Sequence, residues 1–224
     1  MGAPTSRLGW GADSGPLAST GRSRTGRRPL ANTVTPTLQH VRTALQGRAP
    51  ARLSAPLPES AAVALVLRPG AASLDLLLIR RAEHPGDPWS GHVAFPGGRA
   101  DPGDADLVAT AVREAREEVG LDLASAEHLG ALDELEAIGR MRAVGLSIAP
   151  HVFALAAGDA PLSLSGEVES AHWVPLTRLA DPAARSTYLH EHEGLRYAFP
   201  CIRAAGLVVW GLTHHMLTRF LALL

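Results

Sequence analysis

Residues Gly97–Leu121 read GGRADPGDADLVATAVREAREEVGL. The second half, Leu107–Val119, has helical periodicity and stops at Gly120, a residue suited to the left-handed position that follows a helix. On such a helix Glu114, Glu117 and Glu118 fall within one arc of about 100°, and Val108, Ala111, Ala115 and Val119 occupy an adjoining face that packs inward. Like charges at these spacings cost a few tenths of a kcal/mol each in an ordinary helix. Three carboxylates beside an apolar stripe therefore call for a counter-charge. Arg113 reaches Glu117 one turn on, and the remaining oxygens suit a hard divalent cation such as Mg²⁺ or Mn²⁺. For the string REAREE by itself, a solvated acidic helix face is the alternative.

Upstream, Phe95-Pro96-Gly97-Gly98 is a sharp glycine turn at which backbone can approach a ligand closely, and an acidic loop with Asp101, Asp104 and Asp106 follows. Turn, loop, Arg-Glu helix and glycine stop together resemble the Nudix box, G-x5-E-x7-R-E-U-x-E-E-x-G-U with U aliphatic. Arg113–Leu121 matches it, with Ala115 as a small version of the first aliphatic. Counted from Gly98, the front acidic position falls on Asp104 instead of a glutamate, and the gap to Arg113 is one residue longer than the pattern. The resemblance covers about Ala61 to Leu217. It implies an α+β protein with a Nudix-type α/β/α sandwich around a mixed β-sheet, and a metal-dependent hydrolase of nucleoside diphosphates linked to another moiety. Carried onto matching positions, it implies Glu114, Glu117 and Glu118 as ligands of Mg²⁺ or Mn²⁺ and Arg113 as the residue that orients a glutamate. The general base is then Glu114 or a loop carboxylate, for which Glu167 or Glu169 is best placed. Asp104 is a further metal or positioning residue in this reading.

Substrate choice lies outside the box. Leu76–Arg81 and then His84–Gly98 resemble the signature LLTxRSx3Rx3Gx3FPGG that precedes the box in coenzyme A diphosphatases. Ile79 stands for its Thr, Arg81 for its first Arg and Ala82 for its Ser. The middle is one residue longer, and the later basic position falls on Gly86 or Asp87. The tail Tyr197-Ala198-Phe199 with Val209–Thr213 also looks like that branch. The resemblance implies cleavage of coenzyme A and its derivatives to 3′,5′-ADP and (acyl-)4′-phosphopantetheine. ADP-ribose or another nucleoside diphosphate sugar is the alternative substrate. A non-catalytic nucleotide-binding module is a third reading, although such a module usually lacks some of the glutamates. An isopentenyl diphosphate isomerase needs a suitably placed cysteine, and Cys201 stands late in the chain. The expected substrate-binding residues are Arg80 and Arg81, whose guanidinium forks match phosphate, with Gly97 and Gly98. Strand-end arginines that extend into water are the alternative for the first two. Trp89 either stacks on adenine or covers the core. His84 and His92 read as structural, and Cys201 as a small buried residue.

The whole chain of 224 residues has 21 basic side chains, all of them Arg. The lack of lysine excludes a Schiff-base mechanism and a Walker A phosphate site. One cysteine excludes an intrachain disulfide and a multi-cysteine zinc site, so a reducing cytoplasm is the expected compartment. No apolar run approaches the ~18 residues that span a bilayer. Residues 1–33 carry five Arg against Asp13 and little that is apolar, which predicts a disordered Arg/Gly/Ser-rich tail. Taking this +4 from the total of −1 leaves residues 34–224, the expected hydrolase domain, at −5. An acidic domain disfavours nucleic acid as a partner. The expected partner is a small-molecule substrate, without a membrane, for a monomer or homodimer.

Around the central helix, Thr35-Pro36 reads as cap and first turn of a helix with Leu38, Val41 and Leu45. Ala61–Arg68 and Ser73–Arg81 read as a hairpin about Pro69-Gly70. Further strands are expected at Gly91–Phe95, Glu127–Leu132, Leu146–Leu155, Glu167–Trp173 and Tyr197–Arg203, with a last apolar-faced helix over Leu207–Leu223. Strands and helices mix without regular βαβ alternation, which also points to α+β.

Overall fold

A computed structural model describes residues 35–53, 59–87, 89–139, 142–156, 161–192 and 194–224. Residues 1–33, the expected tail, lie outside the described residues.

The central strand β1, Glu59–Pro69, is apolar along most of its length because both of its faces are covered. Ala62, Ala64 and Val66 point to one core and Ala61, Leu65 and Leu67 to the other, the period of two that a strand imposes. The first core is closed by α2, Leu107–Val119, through Ala111, Ala115 and Val119. The second is closed by α1, Leu38–Leu45, and α4, Gly211–Leu221, through Val41, Leu45, Met216, Leu217 and Phe220. Leu176 and Leu179 of the short α3, Leu176–Ala180, join that second core. Helices thus lie on both faces of one sheet, the layered arrangement expected.

The sheet is mixed. Its main path runs β3 (Val93–Ala94), β2 (Leu74–Arg81), β1, β7 (Arg142–Ala154) and β5 (Glu127–Ala131). β4 (Gly97–Arg99) also pairs β1, β6 (Leu135–Gly139) pairs β7, and β8 (Val168–Pro175) pairs β2. β1 and β7 are parallel, from Glu59 opposite Leu146 to Leu67 opposite Ala154, and the other pairings are antiparallel. The β1–β2 hairpin holds only from Leu67 opposite Leu76 to Pro69 opposite Leu74. Beyond it the strands part: Ala61–Val63 pair with β4, and Ile79 and Arg80 pair with β3. The segment Val93–Arg99 bridges this opening. A second sheet of three antiparallel strands has the order β11 (Leu207–Trp210), β10 (Leu195–Ala204), β9 (Arg185–His192).

Several boundaries differ from the sequence reading. The first helix begins at Leu38 with Thr37, not Thr35, as its cap: the Thr37 hydroxyl accepts from the His40 amide, and the His40 ring accepts from the Thr37 amide. The expected helix over Leu207–Leu223 is a strand followed by a helix. Val208 and Val209 favour extended backbone, and Gly211, at φ +64°, turns the chain into α4. The strand expected at Gly91–Phe95 is confined to Val93–Ala94. β6 and β9 were not expected. RSTYLHEH, the sequence of β9, carries few apolar residues and little buried surface to announce a strand.

Candidate active site

The opening where β1 and β2 part leads into a cavity of about 580 Å³. One wall is acidic. Glu114, Glu117 and Glu118 of α2 line it together with Glu167, which stands just before β8. The helix is held to this wall at both ends. The Asp106 carboxylate caps its start by accepting from the Ala109 amide, and Gly120 ends it in left-handed backbone at φ +72°.

Arg113 organises the carboxylates. Its Nη1 donates to Glu114 at 2.8 Å and to Glu117 at 3.0 Å. Its other edge grips Asp104 through two bonds of 3.0 Å, and Nη2 also donates to the Arg99 carbonyl. Asp104 in turn accepts from the Asp101 amide and the Thr110 hydroxyl. The Arg113 guanidinium, these two donors and the fork geometry hold the Asp104 carboxyl well below the usual carboxylate range. Asp104 does not line the cavity; it fixes the arginine that does the holding.

Glu118 is the deepest of the four, only 4% exposed. It accepts from the Gly97 amide at 2.9 Å, and Arg81 Nη1 lies 3.6 Å away. Burial outweighs both and pushes its pKa up to about 7, with Glu114 and Glu167 adding repulsion. Burial likewise raises Glu114, against the pull of Arg113. The two glycines of the turn serve this packing. A Cβ on Gly97 would run into the Ala62 carbonyl and Val63, and one on Gly98 would sit 2.5 Å from the Glu114 carboxylate. Both glycines line the cavity, and the Gly97 amide is already bonded to Glu118.

Arg81 lines the cavity, while Arg80 is not among its lining residues. Arg81 Nη2 donates to Asp87 at 3.0 Å, and Asp87 also accepts from the Trp89 amide. Arg81 Nε is buried and has no hydrogen-bond partner among the described residues, and the same holds for Trp89 Nε1 on the same wall. Orphaned buried donors are rare in folded proteins, and these two are covered by protein atoms instead of being open to the cavity. Trp89 packs against the core as well. His84 is exposed, and Glu169 does not line the cavity. Cys201 is fully buried.

The opposite wall is apolar. Phe95, Leu146 and Ile148 meet Leu212 and Met216 of α4 there, with Trp210 and His92 at the rim. The two rings lie 4.6 Å apart. Burial, with His190 nearby, lowers the pKa of His92, which favours the neutral ring. Sequence reasoning did not place Trp210, Thr213 or Met216 at the site. Thr213 and Met216 stand three apart on a helix face, a signal that could have found them.

An oxygen-only donor set half withdrawn from water fits a hard divalent cation. Glu114, Glu117 and Glu118 could hold it, and Glu167 stands across from them. As the side chains stand, no three His, Cys, Asp or Glu among the described residues gather closely enough to close on an ion. Arg113 draws Glu114 and Glu117 to itself, and Glu118 is turned to Gly97 and Arg81. A cation would take over the charge compensation that these two arginines supply.

Among the described residues no helix is long and apolar enough to cross a membrane. The chain is similar to NudL of Yersinia pestis (strain Pestoides F), described as an uncharacterized Nudix hydrolase, at 33% identity over 138 residues. That match covers 62% of this chain and 66% of the relative, so the chain spans a little under two thirds of the relative's length. The Ap4A hydrolase of C. elegans in a binary complex is 24% identical, with a TM-score of 0.43 over 53% of this chain and 80% of that one. The NUDIX domain of Shewanella oneidensis NrtR complexed with ADP ribose is 22% identical, with a TM-score of 0.41 over 56% and 76%. The model of the NUDIX domain matches residues 57–191, more than half of the 224, and the chain belongs to that family.

Proposed function

We propose that the chain is a metal-dependent pyrophosphohydrolase acting on nucleoside diphosphates linked to a second moiety. The observation that carries this reading is one cavity lined by three carboxylates of a single helix and a fourth from a loop, with Arg81 beside them and 3.6 Å from Glu118. Glu114, Glu117 and Glu118 would hold Mg²⁺ or Mn²⁺, which would neutralise charge on the pyrophosphate and lower the pKa of the water that attacks it as hydroxide. Arg113 keeps Glu114 and Glu117 in place through its bonds to both, and Asp104 keeps Arg113 in place. Arg81, which lines the cavity, supplies positive charge beside the phosphates. Glu167 is positioned to take the proton of the attacking water, with Glu114 as the other base within the wall. Gly97 and Gly98 let backbone and carboxylate come together where a side chain would keep them apart.

Coenzyme A and its derivatives are the proposed substrates, cut to 3′,5′-ADP and the phosphopantetheine species. The flanking signature from Leu76 to Gly98 and the apolar second wall support this choice. A second specificity, ADP-ribose or another nucleoside diphosphate sugar, has one observation in its favour. Arg81 is already engaged by Asp87, at the place where the signature's middle is broken, Arg80 does not line the cavity, and Arg99, which does, is paired with Glu59, so little unpaired cation is on the described lining for a 3′-phosphate. A panel with Mg²⁺ or Mn²⁺ separates the two. Faster release of 3′,5′-ADP from coenzyme A than of AMP from ADP-ribose is expected, and the reverse order assigns the second specificity.

A further inference from the structure

The hairpin of β9 and β10 continues the apolar wall outward. Trp210 lies on the cavity rim and is ringed by aromatic neighbours: Tyr188 at 4.5 Å, His190 at 5.1 Å and Phe199 at 5.4 Å between ring centroids, besides His92. Cross-strand register puts Phe199 opposite Tyr188 and Tyr197 opposite His190. Strand alternation carries the same face on to Leu195, which is 59% exposed. Tyr197 touches Phe199 at 6.5 Å. The ion pair of this stretch, Arg196 with Glu191, lies on the other face. From Trp210, opposite Cys201, to Leu195 the track is about 20 Å long at ~3.3 Å per residue.

The acidic wall and Arg81 are matched to a diphosphate with its cations. Among its described side chains the track carries no Arg, Asp or Glu, its one basic group is the His190 ring beside Trp210, and it joins the cavity through Trp210. Beyond the His190 ring a second anionic group finds no basic side chain on Trp210, Phe199, Tyr188, Tyr197 or Leu195, whereas rings and a leucine lying in line suit a chain of methylenes and amides, which gains as each CH₂ is withdrawn from water. We infer that the β9–β10 face seats an extended, uncharged and partly apolar arm of the substrate. This rests on the pyrophosphohydrolase reading and deepens it: Tyr197, Phe199 and Leu195 set the preference for arm length.

The test compares octanoyl-coenzyme A, coenzyme A and ADP-ribose as substrates of the full chain and of a Leu195→Ser/Tyr197→Ser variant, with Tyr197→Phe as the conservative control. The double variant is expected to raise KM for octanoyl-coenzyme A at least ~5-fold more than KM for ADP-ribose, with kcat less affected and Tyr197→Phe close to the parent. An equal change on all three substrates, or none on octanoyl-coenzyme A, overturns the inference. So does a parent protein that cleaves ADP-ribose but neither coenzyme A substrate, which leaves the hydrolase reading standing. A parent that cleaves none of the three removes both. A change in molecular mass by light scattering, with loss on every substrate, overturns it as well and gives the face to a second copy of the chain.

Discussion

The cavity has two walls built on opposite rules. Three of the four carboxylates of the acidic wall come from one helix, the helix's side chains are fixed by directed bonds, and their charges are poorly compensated: Glu118 is buried with a single backbone donor and one arginine at 3.6 Å. The aromatic wall comes from segments far apart in the chain, joined by contact alone. The first wall holds its functional groups where they are costly to keep, so removal of a charge there harms chemistry without harming the fold. The second wall is itself part of the packing, so removal of a ring harms the fold first.

The largest test of that contrast is Glu118→Gln. Turnover is expected to fall at least ~100-fold, because a proposed cation ligand is lost. The melting temperature of the metal-free protein should hold or rise slightly, since a buried charge is removed. Activity that survives would break the acidic half of the comparison. Trp210→Ala should do the opposite, lowering stability to denaturant by roughly 2–3 kcal/mol, below the full cost of a buried aromatic because the ring is only half buried. Turnover on ADP-ribose that fell more steeply than stability would show that the aromatic wall also serves the chemistry. Gly98→Ala sharpens the acidic side. A methyl placed 2.5 Å from the Glu114 carboxylate must displace it, so kcat should drop on the order of 10-fold while the far-ultraviolet spectrum stays unchanged.

The smallest test reaches α2 from behind. His128 and His151 lie beneath its first turn, with ring nitrogens 3.2 Å apart, and His151 Nε2 is buried without a partner among the described residues. Burial, then repulsion from His128, lowers the pKa of His151 to about 4, against 6.5 for a free histidine. Between these values the unfolded chain binds the proton and the folded one does not, so stability rises with pH in that window and is lost as pH falls from 6.5 toward 4. About 1 kcal/mol should disappear between pH 6 and pH 5, and His151→Asn should flatten that slope. An unchanged slope would remove His151 as its source.

The helical part of the acidic wall was legible in the sequence because what builds it is local, whereas Arg81 and Glu167 reach it only through the fold. Asp106 and Gly120 cap the helix, its apolar positions keep one period, and Arg113 reaches Glu114 and Glu117 within a turn. The β1–β2 hairpin was legible for the same reason. The aromatic wall was not, since His92 and Trp210 meet only through the packing of β3 and β11. The run from Leu207 reads as helix or strand equally well until Gly211 divides it, and β9 has too little apolar content to stand out. The start of α1 slipped because Thr35-Pro36 and Thr37 both offer a cap, and only the bond from the His40 amide to the Thr37 hydroxyl selects the second.

The parallel pairing of β1 with β7 has a consequence for how the chain acquires its structure. Glu59 must find Leu146, and the centre of the sheet stays open until the chain is made as far as Ala154. The β1–β2 hairpin can form early from neighbours in sequence, but its strands then wait with unpaired edges for a partner encoded much later. Closing so long a loop before any contact rewards it is slow, so the rate of folding should be governed by this one strand pair and should fall when β7 is weakened, more than when any helix is.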